Sequence, residues 1–564
     1  MERLLVPRLL WAIVLLVAWT ALLTLLSSVW ARRQFQLPPA WDHALYLTMS
    51  LRFHRSLEEG GAADLARQVL HRPSPVAPLF PLATVPLYRT FGESREVAQL
   101  TLAPFLFLML LATALSSSTA GASASTVALS VFLISTFTGV VNFSREYMMD
   151  LPAAAMATLG LWVLSRRGPG VAAGVLAGVT LLTKVLAGVF FAGPLVYSML
   201  KGEVRKVPLF AAACLATAGL WYGHHFADIL QYVRYYGFGE GSIPFRSSGN
   251  PAYYFKILVT QGMGWLPFAV LALSAVLAWR RAHFHRADGF LLVCIASGYA
   301  LLAILPNKGG ERYVLAFLPP LAVLGARAIA SVETPSLRRF LVVLALAAGA
   351  LNYTGITWSS AVSAWTHHHL RPFPHAMPLE ANSGPWPASE VLRALSDLRR
   401  TTFSISELEH FVEGTRGLDD EAFVEASFRE WLRREADPPG RKAYVEDLAG
   451  RSRMEIVESI VLSEEFRKRP VRVLVVPDHR VFNAATLQYL AESDRRPLSF
   501  RRPTKADDVA DAVLLKEGGP QGPGPGAVVP PEILDAIMNR AGDGALFPCS
   551  DGSRILLLPL RTGR

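Results

Sequence analysis

The sequence predicts a polytopic α-helical membrane protein of about eleven spans with a C-terminal soluble domain, a helical insert plus a small α/β unit, and three observations predict it. Of 564 residues 52% are hydrophobic and only 18% charged, where soluble domains carry about 25% charged residues; mean hydropathy is +0.32. The excess is concentrated: up to Trp365 there are 28 Lys and Arg against 15 Asp and Glu around long near-uncharged runs, and from Thr366 onward 27 against 30 in ordinary globular proportions. Short basic loops recur between the runs. A purely cytosolic enzyme and a disordered chain are excluded. The net charge of +10 is no sign of a nucleic-acid partner, because its excess sits beside the spans.

Hydrocarbon about 30 Å thick needs about 20 apolar residues per helix. The apolar stretches fall near residues 9–30, 97–116, 122–141, 151–165, 171–183, 185–200, 207–223, 257–278, 289–305, 313–331 and 340–360. The first is too long for a typical signal-peptide core and lacks a small-residue cleavage site, so it reads as a retained span. Threaded in order, the stretches put Arg3 and Arg8, Arg166–Arg167, Lys201 with Arg205 and Lys206, Arg280–Arg281 with Arg286, and Arg338–Arg339 on one side. The positive-inside rule makes that side the cytoplasm, with the N-terminus inside and the C-terminal part outside. Cys214, Cys294 and Cys549 are too scattered for a disulfide framework or a Cys-based metal site.

Four segments remain on the outer face: 31–96, 142–150, 224–256 and 306–312. The first opens on Pro38-Pro39, which breaks the helix, and holds amphipathic stretches (Leu45–Leu57, Leu65–Leu70) before the Pro-rich run from His71 to Leu79. Ionisable residues near a membrane are costly and point to function. Those that stand out are Asp42 after span one, Arg145 and Asp150 in the second segment, Lys184 within some thirty apolar residues, and Lys308, Glu311 and Arg312-Tyr313 in the fourth. Each has a plainer reading beside the functional one. Asp42 and Asp150 both suit helix N-caps, Arg145 and Asp150 suit a mutual ion pair, Lys184 suits either snorkelling or a polar cavity, and Arg312 suits a boundary anchor. His224-His225 and His367-His368-His369 read as interfacial turns rather than metal tracts.

Together these motifs carry a resemblance. The carboxylate after span one, the Pro-rich run, an Arg-x4-Asp loop (Arg145 to Asp150), a Gly-x3-Gly-x4-Thr-Lys helix (Gly174 to Lys184) and Arg312-Tyr313 before a Leu-Pro-Pro span recur in that order. The chain resembles the GT-C superfamily of membrane glycosyltransferases over roughly residues 1–360, nearest the branch of protein O-mannosyltransferases and bacterial aminoarabinose transferases that modify lipid A. The resemblance implies inverting transfer of a sugar from a polyprenyl-phosphate donor to a lipid, glycan or protein acceptor. In that chemistry a carboxylate takes the acceptor's proton and fixed cations meet the charge growing on the departing lipid phosphate. Asp42 is then the candidate general base, and Asp150 orients the acceptor or holds a cation. Arg145, Lys184 and Arg312 are candidate phosphate ligands, with Lys308, His71 and Arg72 in support. Where the family carries a second acidic residue after the first, this chain has His43, so a divalent metal bridged by an acidic pair would lose one ligand here; no other cofactor is implied. Other classes kept open are a transporter or flippase of lipid-linked saccharide and a non-catalytic relative that binds lipid-linked sugar.

The expected domains are a membrane domain over 1–365 (31–96 its first outer loop), a Pro-rich irregular linker over 366–406, a helical module over 407–468 and a small α/β domain over 469–564. The module, with Phe423-Val424, Phe428, Trp431-Leu432, Gly440, Ile460 and Phe466, resembles a small helical module of unknown function from bacterial secreted and surface proteins. In the last domain Val471–Val476, Ala512–Leu515 and Ile555–Leu558 read as strands and Ala484–Glu492 as a helix.

Overall fold

A computed structural model describes residues 2–34, 39, 41–71, 74–238, 249–278, 286–304, 311–358, 387–398, 405–432, 435–463, 465, 470–476, 482–503, 510–517, 530–539, 541, 542, 544–549 and 553–560. It forms two compact units, Met1–Gln36 with Met49–Ala381, and Leu37–Thr48 with Asn382–Arg564.

The larger unit is helical: α1 (Glu2–Gln34), α2 (Trp41–His71), α3 (Leu79–Phe91), α4 (Arg95–Leu100), α5 (Leu102–Thr119), α6 (Ala124–Thr136), α7 (Thr138–Phe143), α8 (Asp150–Arg167), α9 (Val171–Thr183), α10 (Ala192–Leu200), α11 (Val207–Phe238), α12 (Gly249–Ile257), α13 (Trp265–Ala278), α14 (Arg286–Ile304), α15 (Leu318–Ala330) and α16 (Pro335–Trp358). Only the Trp41–Thr48 end of α2 clusters elsewhere. Every apolar stretch of the sequence carries helix, yet not every one is a continuous crossing. Among the described residues five helical segments are long and apolar enough to span: Trp11–Val29, Arg95–Thr119, Glu203–Arg234, Ala287–Ile304 and Pro335–Thr357. A sixth, Ala252–Met263 with Trp265–Ala278, is bent by 109°. Four further apolar helices are shorter: Ala124–Thr136, Val171–Thr183, Val185–Leu200 and Leu315–Ala330. Helix geometry stops at Phe137, between α6 and α7, at Lys184 after α9 and at Gly264 before α13.

Small residues set how closely these helices pack. The Gly-x3-Gly of α9 faces α11: a Cβ on Gly174 would lie 2.3 Å from the Phe210 carbonyl oxygen, and one on Gly178 would lie 2.6 Å from Thr217 Cβ. Backbone approach of this kind is how membrane helices gain packing where lipid gives no hydrophobic drive. The first three turns of α8, rich in Ala, are buried almost all round. At the far end of that bundle Arg327 of α15 forks onto Asp288 of α14 at 2.8 and 2.9 Å and donates to the carbonyl of Ala120, after α5.

The second unit holds two cores. One is a five-stranded sheet in the order β2–β1–β3–β5–β4, made of β1 (Val471–Val476), β2 (Leu498–Arg501), β3 (Ala512–Glu517), β4 (Ala545–Pro548) and β5 (Arg554–Pro559). β1 runs parallel to both β2 and β3, while β5 runs antiparallel to β3 and β4. β1 is nearly all apolar because both its faces are covered. Val473 and Val475 pack with Val391, Leu395 and Leu487 in one cluster, and Leu474 and Val476 pack with Val513 and Ile537 in the other. Residues 388–398, expected as irregular linker, form helix α17 (Ala388–Leu398), whose Val391, Leu392 and Leu395 join the first cluster. The second core belongs to the helical module: α18 (Ile405–Gly414), α19 (Asp420–Ser427), α20 (Pro438–Asp447) and α21 (Arg453–Leu462) surround Phe423, Phe428, Trp431, Ile456 and Ile460. Arg453 ties its turns by donating to the carbonyls of Thr415 and Leu418 at 2.9 and 2.6 Å.

The Asp288–Arg327 pair yields a stability test. Breaking a buried pair by removing one partner costs on the order of 3 kcal/mol, so Asp288→Ala should markedly lower the unfolding midpoint in detergent. The double variant Asp288→Leu/Arg327→Met should recover part of it.

Candidate active site

Three elements converge. α8 begins at Asp150, preceded by Met149 as N-cap, so Asp150 lies in the first turn and not at the capping position. A carboxylate there faces the positive end of the helix dipole. It is 3% exposed, and its carboxylate Oδ1 accepts from Lys184 Nζ. Lys184 reaches it because α9 ends there: its backbone turns extended (φ −157°, ψ 123°) and a 3-10 segment, Val185–Phe191, follows. Tyr222 of α11 donates to the carbonyl of Leu181 at 3.2 Å, taking one of the carbonyl groups that the ending helix frees.

The third element is the 3-10 turn Glu311–Tyr313 before α15. The Tyr313 ring lies 4.8 Å from Lys184 Nζ and 5.4 Å from Arg312 Cζ, within cation–π range of both. Asp150, Lys184, Arg312 and Tyr313 line a pocket whose remaining wall is apolar, with Phe190 and Leu315 in it. Asp150 Oδ2 is buried there and has no hydrogen-bond partner among the described residues. The pocket thus holds two cations, one carboxylate with a spare oxygen, and greasy walls.

Arg145 is placed differently. The guanidinium donates to the Thr357 hydroxyl and lies 5.3 Å from the Tyr353 ring, both on α16, and it is 2% exposed. Burial draws its pKa below the ordinary value, and the neighbouring Tyr353 opposes that. The pairing of Arg145 with Asp150 that the sequence left open is not formed, since Asp150 goes to Lys184. His71, at the end of α2, meets the ring of His224 edge-on at 4.9 Å. The chain on either side of it is tied to α11, where buried His225 contacts the Val69 carbonyl at 3.1 Å and Asp228 accepts the Ser74 N–H at 3.2 Å. Arg72 and Lys308 lie outside the described residues.

Asp42 occupies the first turn of α2, partly buried, on the stretch 37–48 that packs with the C-terminal unit. Buried Thr486 in helix α22 (Ala484–Ser493) donates to the Pro39 carbonyl at 2.7 Å, and Asn483 caps that helix by accepting from Thr486 N–H. The C-terminal unit therefore grips the backbone just before Asp42.

Among the described residues one group of His and carboxylates has metal-binding proximity: His54, Glu58 and Glu93. Arg55 forks onto both Glu93 oxygens at 3.0 and 2.7 Å, and His54 Nε2 lies 3.3 Å from Glu58. That arrangement is an ion-pair clip between α2 and the turn after α3.

Sequence reading missed Tyr222, Tyr353, Thr357 and Asn352. Asn352 alone left a usable signal, an amide inside the apolar run 340–360, where an unsatisfied polar group is costly.

With the geometry in hand, the architecture is that of an integral membrane protein built from a helical bundle and a C-terminal unit with a five-stranded sheet. It is shared with the crystal structure of ArnT from Cupriavidus metallidurans bound to undecaprenyl phosphate, at a TM-score of 0.55 and 16% identity over 97% of this chain and 98% of that one. The apo state of the same ArnT aligns at 0.50 and 14% identity, over 96% and 98%. Residues 404–469 match a domain of unknown function, DUF4214, over the module expected at 407–468. No curated protein matches this chain in sequence.

The central pair makes a direct prediction. Lys184→Met leaves a buried, unpaired Asp150 carboxylate and should destabilise the protein by about 3–5 kcal/mol. Asp150→Asn combined with Lys184→Met should restore most of that loss, giving a strongly non-additive thermal-unfolding cycle.

Proposed function

We propose that the chain is an inverting glycosyltransferase that moves a sugar from a polyprenyl-phosphate donor to an envelope acceptor at the outer membrane face. One observation carries the reading: in a fold shared with an ArnT crystallised on undecaprenyl phosphate, Lys184 and Arg312 flank Tyr313 at an apolar-walled pocket. A lipid phosphate needs that combination, cations for its oxygens and hydrocarbon for its chain. Asp150 already neutralises Lys184, so an arriving phosphate competes with Asp150 for the ammonium and leaves the carboxylate for the sugar or the acceptor. Arg145 sits one loop away, buried, and enters as a longer-range cation; His71, Arg72 and Lys308 are proposed to border the donor.

The chemistry is one displacement. The acceptor's hydroxyl or amine attacks the anomeric carbon, the bond from that carbon to the phosphate oxygen breaks, the lipid phosphate leaves as an anion, and Asp42 takes the acceptor's proton. Inversion follows from the single step. A divalent ion beside Asp42 is compatible with this scheme, which routes no step through it. Sidedness is supported by the helices: Arg166–Arg167 end α8 opposite Asp150, some 25 Å away at 1.5 Å per residue, and Arg338–Arg339 begin α16 opposite Thr357. The positive-inside rule then puts the pocket outside.

A flippase of lipid-linked saccharide is the second reading, favoured by the bent pair α12–α13, since broken helices are common in transporters. Mass spectrometry of envelope glycolipids and glycoproteins from cells with and without the gene separates the two, because only the transferase creates a new sugar–acceptor product of its own. In the purified full chain, Asp42→Asn should keep undecaprenyl-phosphate binding and lower transfer by at least about a hundredfold. Unimpaired transfer would remove Asp42 as the base.

A further inference from the structure

Two helix interruptions meet one side chain. α6 stops at Phe137, whose backbone is extended (φ −65°, ψ 135°), before α7 starts. A π-helical turn, Leu258–Met263, stops at Gly264 (φ +86°) before α13. Inside an apolar bundle the carbonyls freed at such points have no water to turn to. Asn352 on α16 serves both. Its Nδ2 donates to the Thr136 carbonyl at 2.7 Å and reaches the Met263 carbonyl at 3.5 Å, while its Oδ1 accepts from the Thr138 hydroxyl at 3.3 Å. The fit is close: a Cβ on Gly264 would lie 2.6 Å from Asn352 Oδ1 and 2.9 Å from Thr138 Oγ1.

The elements so joined back directly onto the pocket wall. A Cβ on Gly139 of α7 would lie 3.2 Å from the Leu315 side chain and 3.3 Å from the Gly262 carbonyl, and one on Gly262 would lie 3.1 Å from Val314. α7, the π turn and residues 314–315 therefore form one three-way contact without slack, immediately after Arg312-Tyr313. α7 also leads through Arg145 to Asp150.

We infer that Asn352 is a positioning residue: by stapling the α6–α7 and π-turn–α13 interruptions together, it fixes the turn that holds Arg312 and Tyr313 against the Asp150–Lys184 pair. It touches no substrate and acts through Arg312. The inference that this matters for a lipid phosphate rests on the proposed function, whereas the staple itself does not.

The test uses the purified full chain with Asn352→Leu, which removes donor and acceptor at similar size, and Asn352→Asp, which keeps shape and acceptor but loses the donor. Hydrogen–deuterium exchange reads the staple without any ligand. Both variants should speed exchange about tenfold in 138–143 and in 311–318 together, with the middle of α8 unchanged. Faster exchange confined to α16, or spread over the whole bundle, would overturn the inference. Binding of undecaprenyl phosphate reads the consequence: Asn352→Leu should weaken it about tenfold, and should add little in an Arg312→Gln background, because residues acting through one another are not additive. Full multiplication of the two losses, or unchanged affinity in a merely less stable protein, would refute positioning. Should the unmutated chain fail to bind undecaprenyl phosphate, the proposed function falls while the exchange result still decides the staple.

Discussion

The ion pair between Asp150 and Lys184 is the interaction on which the site depends, because a charge buried to 3% exposure at the head of an apolar helix is costly unless a partner of opposite charge meets it. Meeting that need shapes the backbone. Lys184 reaches Asp150 by leaving helical geometry, which ends α9 and frees the Leu181 carbonyl that Tyr222 then takes. The same logic recurs at Asn352, where one amide serves the interruptions of α6–α7 and of the π turn before α13. A polar pocket in a membrane bundle thus requires broken helices, and each break requires a polar side chain from a neighbour.

The pocket's contents divide into a charged floor and greasy walls. Tyr313 lies within cation–π range of both Lys184 and Arg312 and keeps two cations close together. Asp150 offers a spare oxygen to the same space. The likeness to ArnT fixes the fold at 16% identity; the chemistry proposed for this chain stands on its own residues, each in a named role. Within the C-terminal unit, Thr486 holds the backbone at Pro39, just before Asp42.

Much of this was legible in the sequence, for identifiable reasons. The apolar runs announced the helices, and the β-branched Val471–Val476 announced a strand buried on both faces. Asp150, Lys184 and Arg312 stood out because ionisable residues are rare beside spans. What was hidden depends on long-range geometry. Asp150 read equally well as a helix cap or as Arg145's partner, and only the end of α9 decides for Lys184. The apolar runs did not reveal where helix geometry breaks, at Phe137, Lys184 and Gly264, because each break is set by packing against distant residues. α17 was missed because its Pro-rich surroundings masked a short amphipathic stretch.

The most direct measurement is an experimental structure of the full chain with undecaprenyl phosphate bound. The account predicts the phosphate within about 4 Å of Lys184 Nζ and the Arg312 guanidinium, with Lys184 drawn away from Asp150 and the lipid chain along the wall of Phe190 and Leu315. A phosphate seated elsewhere, with the Asp150–Lys184 pair intact, would contradict it.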